Sequence, residues 1–487
     1  MPKPLRALTL RWTGTGVVCH EALLRIMKDI PFEFCASLSP KHNPYPNLND
    51  ESQPWFNTSD ARNGIYPGDQ ASLMPLDEAL IESMRDCEAL FMYMMMRGEY
   101  ARNIPYPERK HRYLKHLRFW NDFIERNRIT ILLSSTLPHE MPDHLIYALC
   151  KVKGIRTVFT HATPIRDTAF LQENIEESAV QIRDAYEALR GTDASGLSLS
   201  PKLEEYFAKQ TSPKGTAAMV FPEKPISVLI RFHRRILSTK GAFMHWITSL
   251  WSAVAWSHRI HKFLSLRTQR LLRQYYDQHA VKPDLQKPYI YFPLQYQPEC
   301  STCPMAGAFV DQDISIHVLS KTAPNDVLIY VKEHPRQRKV GTLGRTLQFY
   351  RDLVAMPNVR LVAHETDTFD LREHCAAVAT GTGTAGLEAI FRGKPVILFG
   401  HVFYQYGPAV FQVKTHSDCE HAMKEIFHNT VKPSSMEARR FLKAVENTRV
   451  HGSVTDLYYL NESDLTIEQS TGAFEAMLRK HLSALPA

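Results

Sequence analysis

The chain has 487 residues, 44% of them apolar, with a formal charge of +7 and eight cysteines. That length exceeds what one hydrophobic core normally organises, so two or more domains are expected. No run of about 20 apolar residues could span a bilayer, no opening segment has the order of a secretory signal, and scattered cysteines suit a reducing cytoplasm.

RALTLRW (6–12) has the apolar run of a first strand, ahead of Thr13-Gly14-Thr15-Gly16 and a helical VVCHEALLRIMK. A strand follows around PFEFCA, then a polar stretch from Ser39 to Met74, too long for a plain connection. LDEALIESM has a helical period, and ALFMYMMM (89–96) has the continuous apolar character of a buried strand. The next helix aligns Tyr113, Leu117, Trp120 and Ile124 on one stripe. ITILLSS (129–135), HLIYALCKVKG and IRTVFT then give strand, glycine-capped helix and strand. Such alternation predicts a parallel sheet covered on both faces, a Rossmann-like domain without a complete nucleotide fingerprint.

Between Gly191 and Pro225 the periodicity fades into a surface excursion. From Ile226 to Ala280 the composition turns basic, with Arg231, Arg234, Arg235, Lys240, Arg259, Lys262, Arg267, Arg270 and Arg273 against Asp277 alone. Trp246, Trp251 and Trp256 are interleaved. This segment fits peripheral contact with an anionic membrane. It equally fits a long helix packing Phe243, Ile247, Leu250 and Val254 on a neighbour. No nucleic-acid-binding module is recognisable, so nucleic acid is not an expected partner.

A second alternation starts at PYIYFPL (288–294) and continues through a helix at 307–322, VLIYVK, a helix near 343–354 and VRLVA. The expected layout is an α/β chain with domains at 1–285 and 286–430, two Rossmann-like doubly wound units facing a cleft. Residues 431–487 would cross back to the first domain through helices at 435–447 and 466–481.

The second unit is organised around His364–Gly400. CAAVAT (375–380) is a short buried strand, TGTGTAG breaks it, LEAIF resumes at helical spacing and PVILF is the next strand. Glycines and hydroxyls between a strand end and a helix start leave N–H groups free for an anion, so Thr380, Gly381, Thr382, Gly383 and Thr384 form a candidate phosphate-binding turn. Gly381, Gly383 and Gly386 spell G-x-G-x-x-G, but the following strand ends in Phe399-Gly400-His401 without the acid a dinucleotide needs.

Two more strand ends carry candidate ligand groups. Lys332-Glu333-His334-Pro335-Arg336, with Arg338 nearby, gathers cations and an imidazole suited to an anion. Gln295, Tyr296, Gln297 and Glu299 could read a base edge or sugar hydroxyls, and Glu388 the ribose. Asp311-Gln312-Asp313 has a metal-site spelling, but its expected helical setting makes the two carboxylates diverge. Cys300 and Cys303 have the spacing of half a zinc site with no second half, so no metal is expected.

YIYFPLQYQPE, KEHP and ATGTGTAGLEAIFRGKPVILFG with Tyr404 closely resemble the bacterial capsule polysaccharide biosynthesis proteins, a group that includes Kdo transferases. The resemblance is strong from Tyr289 to Tyr406 and weaker from Leu133 to Thr160, where Pro138-His139 stands. It implies a GT-B glycosyltransferase of surface polysaccharide assembly with no bound cofactor. Its substrates would be a CMP-activated sugar, held by the second domain, and a saccharide or glycolipid acceptor, held by the first. His334-Pro335 and the threonine loop would grip the donor. Glu140 and Asp143, with His139 third, are the candidate catalytic groups; N-terminal helix capping explains the two carboxylates equally well. The alternatives left open are a UDP-sugar or CDP-glycerol enzyme on the same fold, and a non-catalytic assembly or export protein.

Overall fold

The computed structural model describes residues 4–12, 17–40, 54–98, 104–191, 196–212, 253–340, 344–453 and 463–483. β1 (Leu5–Leu10), β2 (Phe32–Ser39), β3 (Trp55–Asn57), β4 (Ile131–Ser134), β5 (Arg156–Ala162) and β6 (Thr168–Gln172) belong to one sheet. β7 (Tyr289–Pro293), β8 (Leu328–Lys332), β9 (Val359–Leu361), β10 (Ala377–Thr380), β11 (Val396–Leu398) and β12 (Val410–Gln412) form a second. β13 (Val450–His451) returns to the first sheet, antiparallel to β6.

The strand orders are β13-β6-β5-β4-β1-β2-β3 and β12-β11-β10-β7-β8-β9. β1 to β5 pair in parallel, as do all six strands of the second sheet. In each sheet the chain first builds outward on one side, then crosses to the other. The order therefore reverses between β1 and β4 and again between β7 and β10. Such reversals open a crevice beyond the carboxyl ends of the strands, where α/β sheets hold ligands. The central strands of both sheets are buried on both faces, as parallel strands covered by helices on either side are. The arrangement is GT-B-like, two Rossmann-like units in contact.

ALFMYMMM is not a strand: Arg85–Met95 is a helix. Its buried residues, Cys87, Glu88, Phe91, Met94 and Met95, recur at helical spacing, while Met92 and Tyr93 stay half-buried. A short apolar run does not discriminate the two structures, and Ala, Leu and Met with no β-branched residue favour the helix. In the 39–74 stretch, Tyr66 stacks on Phe119 at 3.9 Å. In the 191–225 excursion, helix Pro201–Thr211 sets Tyr206 and Phe207 edge-on to Phe391 of the second unit.

The described part of the basic segment, helix Ala253–His279, corrects the expected boundary. Leu272 and Tyr276 enter the core of the second unit, and Asp277 pairs with Arg338. The helix therefore braces the second sheet rather than the first. Phe243, Ile247 and Leu250 lie outside the described residues, as do Thr13–Gly16.

The C-terminal helices do cross back. Ser435–Thr448 meets helix Gln181–Leu189, with Phe441 edge-on to Tyr186. Ile467–Ser483 buries Phe474, Leu478 and Leu482 with Trp12 and the apolar face of helix Val17–Ile26. One hydrophobic cluster runs through both units, joined where Phe170 stacks on Phe403 at 5.9 Å.

Candidate active-site cleft

On the second unit, the ends of β8, β7 and β10 carry the predicted donor residues side by side. Helix Thr384–Phe391 starts directly after β10, with Gly383 as its N-cap. The turn is held from within. The Thr382 N–H donates to Gln295 Oε1 at 3.0 Å, the Gln295 amide donates to Thr382 Oγ1 at 3.2 Å, and the Gly383 N–H donates to Thr380 Oγ1 at 3.1 Å. A Cβ on Gly381 would lie 2.4 Å from Gln295 Oε1, and one on Gly386 2.7 Å from the Tyr404 hydroxyl. These glycines admit neighbouring side chains. Thr384 is left exposed on the first turn of the helix.

His334 is half-buried at the end of β8, and its Nδ1 accepts the Arg336 N–H at 3.1 Å. With Nδ1 as acceptor, the neutral ring carries its proton on Nε2. Burial lowers the imidazole pKa more than the neighbouring Glu333 raises it. The ring is therefore neutral near pH 7 and still a donor. The Tyr296 ring stands 6.0 Å from it, and the Arg336 guanidinium lies over that tyrosine. Pro335 is exposed.

Several expected ligand residues are engaged with protein partners. Glu333 is buried and accepts from Arg345 Nε at 2.8 Å, the Tyr350 hydroxyl at 2.6 Å and the His334 N–H at 2.7 Å. Gln297 accepts from Arg345 and Gln312, and Gln312 also takes the Gln295 N–H. Lys332 donates to Thr366 O and to Thr368 Oγ1. Glu388 is buried against Arg372. These groups are spent on one another, because a buried polar group must find a partner and neighbouring loops supply it first. Glu299 stays exposed.

On the first unit, the ends of β1 and β4 bring Arg11 and the His139–Glu140 segment together. Asp143 is fully buried and accepts from Arg11 Nε, so it has no path to a substrate proton. Burial penalises the charge of Glu140, but Arg11, Arg62, His139 and Arg97 together hold its carboxyl below the usual range. Arg62 is 2.8 Å away. His139 Nδ1 lies 2.7 Å from the Leu137 carbonyl, which can only accept. Its Nε2 therefore bears the lone pair when the ring is neutral, and burial keeps it neutral by lowering the pKa. The two imidazoles are set in opposite tautomers, one a donor and one an acceptor.

Helix Arg85–Met95 and the turn after it bridge the units. Arg97 donates to the carbonyls of His139 and of Cys303, and Tyr93 donates to Asp311. Asp311 is the N-cap of helix Gln312–Thr322 and Asp313 lies in its first turn. Burial raises the Cys300 and Cys303 thiols to about 12. Among the described residues, no three His, Cys, Asp or Glu side chains gather as metal ligands. A cavity of about 560 Å³ opens beside Asp311 and Asp313, walled by Met92, Tyr93 and Met96 on one side and by Gln297, Arg345 and Phe349 on the other; His334, Thr384, His139 and Glu140 do not line it. Arg11 had a sequence signal, a charge at the end of a buried strand beside a Gly-Thr loop. Arg62 and Arg97 had none, since only folding brings them to His139.

Residues 203–433 match a family model described as capsule polysaccharide biosynthesis protein. Among curated proteins none matches significantly. The chain is similar to the β-Kdo 2,7 transferase of Thermosulfurimonas dismutans KpsC, at 12% identity over 76% of this chain and 96% of that one, with a TM-score of 0.29. It is similar to Anabaena HepE in complex with UDP-glucose, at 11% identity over 99% and 100%, with a TM-score of 0.30. It is also similar to the UDP-GlcNAc 2-epimerase of Methanocaldococcus jannaschii, at 9% identity over 91% and 98%, with a TM-score of 0.25.

Proposed function

We propose, from the match of residues 203–433 to the capsule polysaccharide biosynthesis family model, that the chain is a glycosyltransferase of that family. The donor in this reading is a CMP-activated sugar, with Kdo or a similar keto-sugar acid first in line. The acceptor is a saccharide or lipid-linked saccharide. The observation that carries the reading is the pairing of a neutral His334, proton on Nε2, with the helix start at Thr384 on strands flanking β7.

A CMP-sugar presents one phosphate. The His334 Nε2–H and the N-terminus of helix Thr384–Phe391 supply donors where charge grows as the nucleotide departs. Across the cleft, the lone pair on His139 Nε2 accepts the proton of the attacking hydroxyl. Glu140, held ionised at low pKa, is the weaker base and adds negative charge beside the forming imidazolium. Asp143 orients Arg11.

Peripheral attachment to the inner face of the plasma membrane belongs to the same proposal. Its support is the exposed face of helix Ala253–His279, where Phe263, Leu264, Leu266 and Leu271 alternate with Arg267 and Arg270. Cosedimentation should favour anionic over neutral vesicles; equal or absent binding would remove this part.

The central test is calorimetry with CMP, UDP and CDP, followed by a donor screen read by mass spectrometry. CMP should bind best, and sugar transfer should fall with His334→Ala. A UDP preference would replace the donor assignment. Absence of binding by every nucleotide, with polymer production indifferent to His334→Ala, would favour a non-catalytic assembly protein.

A further inference from the structure

We propose that Arg11, aided by Arg97 and Arg62, forms a binding site on the first unit for an anionic group of a substrate, a carboxylate or a phosphate. The site is distinct from the donor-phosphate groups on the second unit. Four observations meet there. Arg11 sits at the end of β1, beside the order reversal between β1 and β4, with a left-handed backbone at φ 59°. Few non-glycine residues hold that conformation, and where they do the surroundings usually enforce it for a functional geometry. The fully buried Asp143 fixes Arg11 through Nε, which leaves the rest of the guanidinium aimed by the fold.

The third observation is a pair of buried donors without partners. Among the described residues, neither Arg11 Nη2 nor Arg97 Nε has a hydrogen-bond acceptor, although both atoms are buried. An orphan of this kind costs about 1–3 kcal/mol. Such cost is kept where a ligand atom completes the set. The fourth is charge: Arg11, Arg62 and Arg97 all act on Glu140, while Asp143 is taken up by Arg11. A neutral sugar hydroxyl would gain little from these cations. A carboxylate or phosphate would take two charge-assisted bonds, with Arg able to engage it in a fork.

Which substrate supplies the anion rests on the transferase reading: either the carboxylate of a keto-sugar acid on the donor, or an acidic or phosphorylated acceptor. The site itself can be tested without turnover. Calorimetry on the full chain would use inorganic phosphate, a free 3-deoxy-2-ulosonic acid and its methyl ester, with CMP as a control for the second unit. Arg11→Gln alone would strand a buried carboxylate, so the main variant is Arg11→Gln/Asp143→Asn, which removes both charges together. Arg62→Gln, at an exposed position, is the second.

The acid should bind wild type at least about tenfold more tightly than its ester, matching the loss of one charge-assisted bond. The double variant should lose a similar factor for acid and phosphate, Arg62→Gln about threefold, while CMP affinity moves by less than about twofold. In turnover assays, a rise confined to one substrate's KM names the source of the anion. Equal affinity for acid and ester, unchanged anion binding in the double variant, or no anion binding to wild type would each overturn the site. If CMP fails to bind but the acid binds in an Arg11-dependent way, the donor assignment falls and this site stands.

Discussion

At the scale of single residues, the site depends on which nitrogen of each imidazole holds the proton. Backbone partners decide this: the Arg336 N–H loads His334 on Nε2, and the Leu137 carbonyl loads His139 on Nδ1. His334→Ala removes one preorganised donor and should lower kcat by about 10²–10³, with His334→Gln recovering part of it. For His139, burial lowers the pKa, so the base form persists to more acidic pH than for a free imidazole. The kcat/KM profile should rise with pH through a midpoint below about 6.5, and His139→Ala should remove that limb. An unchanged profile in the alanine variant would rule His139 out as base. Gly386→Ala is a packing test, because its Cβ would meet the Tyr404 hydroxyl at 2.7 Å. Loss of about 1–3 kcal/mol in denaturant melts is expected.

At the scale of elements, helix Ala253–His279 and helix Arg85–Met95 do work that their sequences disguised. The basic helix carries a tyrosine whose hydroxyl donates to Val362 O at 2.7 Å and accepts the Glu333 N–H at 3.1 Å. Tyr276 thus ties the helix to the residue before His334. Tyr276→Phe leaves that N–H without its partner and should cost about 1–2 kcal/mol in denaturant melts, with weakened nucleotide binding. If stability and nucleotide affinity both stay unchanged, the brace is not functional. Helix Arg85–Met95 was disguised because its apolar run is as compatible with a strand as with a helix. Its half-buried Tyr93 reaches Asp311 of the second unit, and Arg97, in the turn that follows the helix, reaches the Cys303 carbonyl.

At the scale of the whole molecule, continuity of the core across both units means that acid should attack them together. His116 and His144 are buried, and desolvation pushes their pKa down to about 3 and about 4. The unfolded chain protonates near pH 6.5 and the folded one resists, so the folded state binds fewer protons below that pH. Stability is thus full above about pH 6.5 and falls as pH drops toward 4, by up to about 1.4 kcal/mol per pH unit for each histidine. Thermal melts from pH 7 to 4 should shift steadily downward, and His116→Gln should flatten the slope; a pH-independent midpoint would contradict this.

The amino-acid sequence by itself determined the alternation of strands and helices, the two-unit layout, the return of the C-terminal helices and the family motifs at the ends of β7, β8 and β10. Those features rest on local periodicity and on glycine, proline and threonine placed within a few residues. Only the tertiary structure decided which polar residues are free. Lys332, Glu333, Gln295, Gln297, Glu388 and Asp143 look like ligand groups in one dimension, yet each finds a protein partner. Arg62 and Arg97 look like surface charge, yet the fold carries them to His139 and Glu140. The reason is that a hydrogen bond or ion pair joins groups far apart along the chain, and no local pattern encodes whether a buried donor meets protein or is left waiting for a substrate.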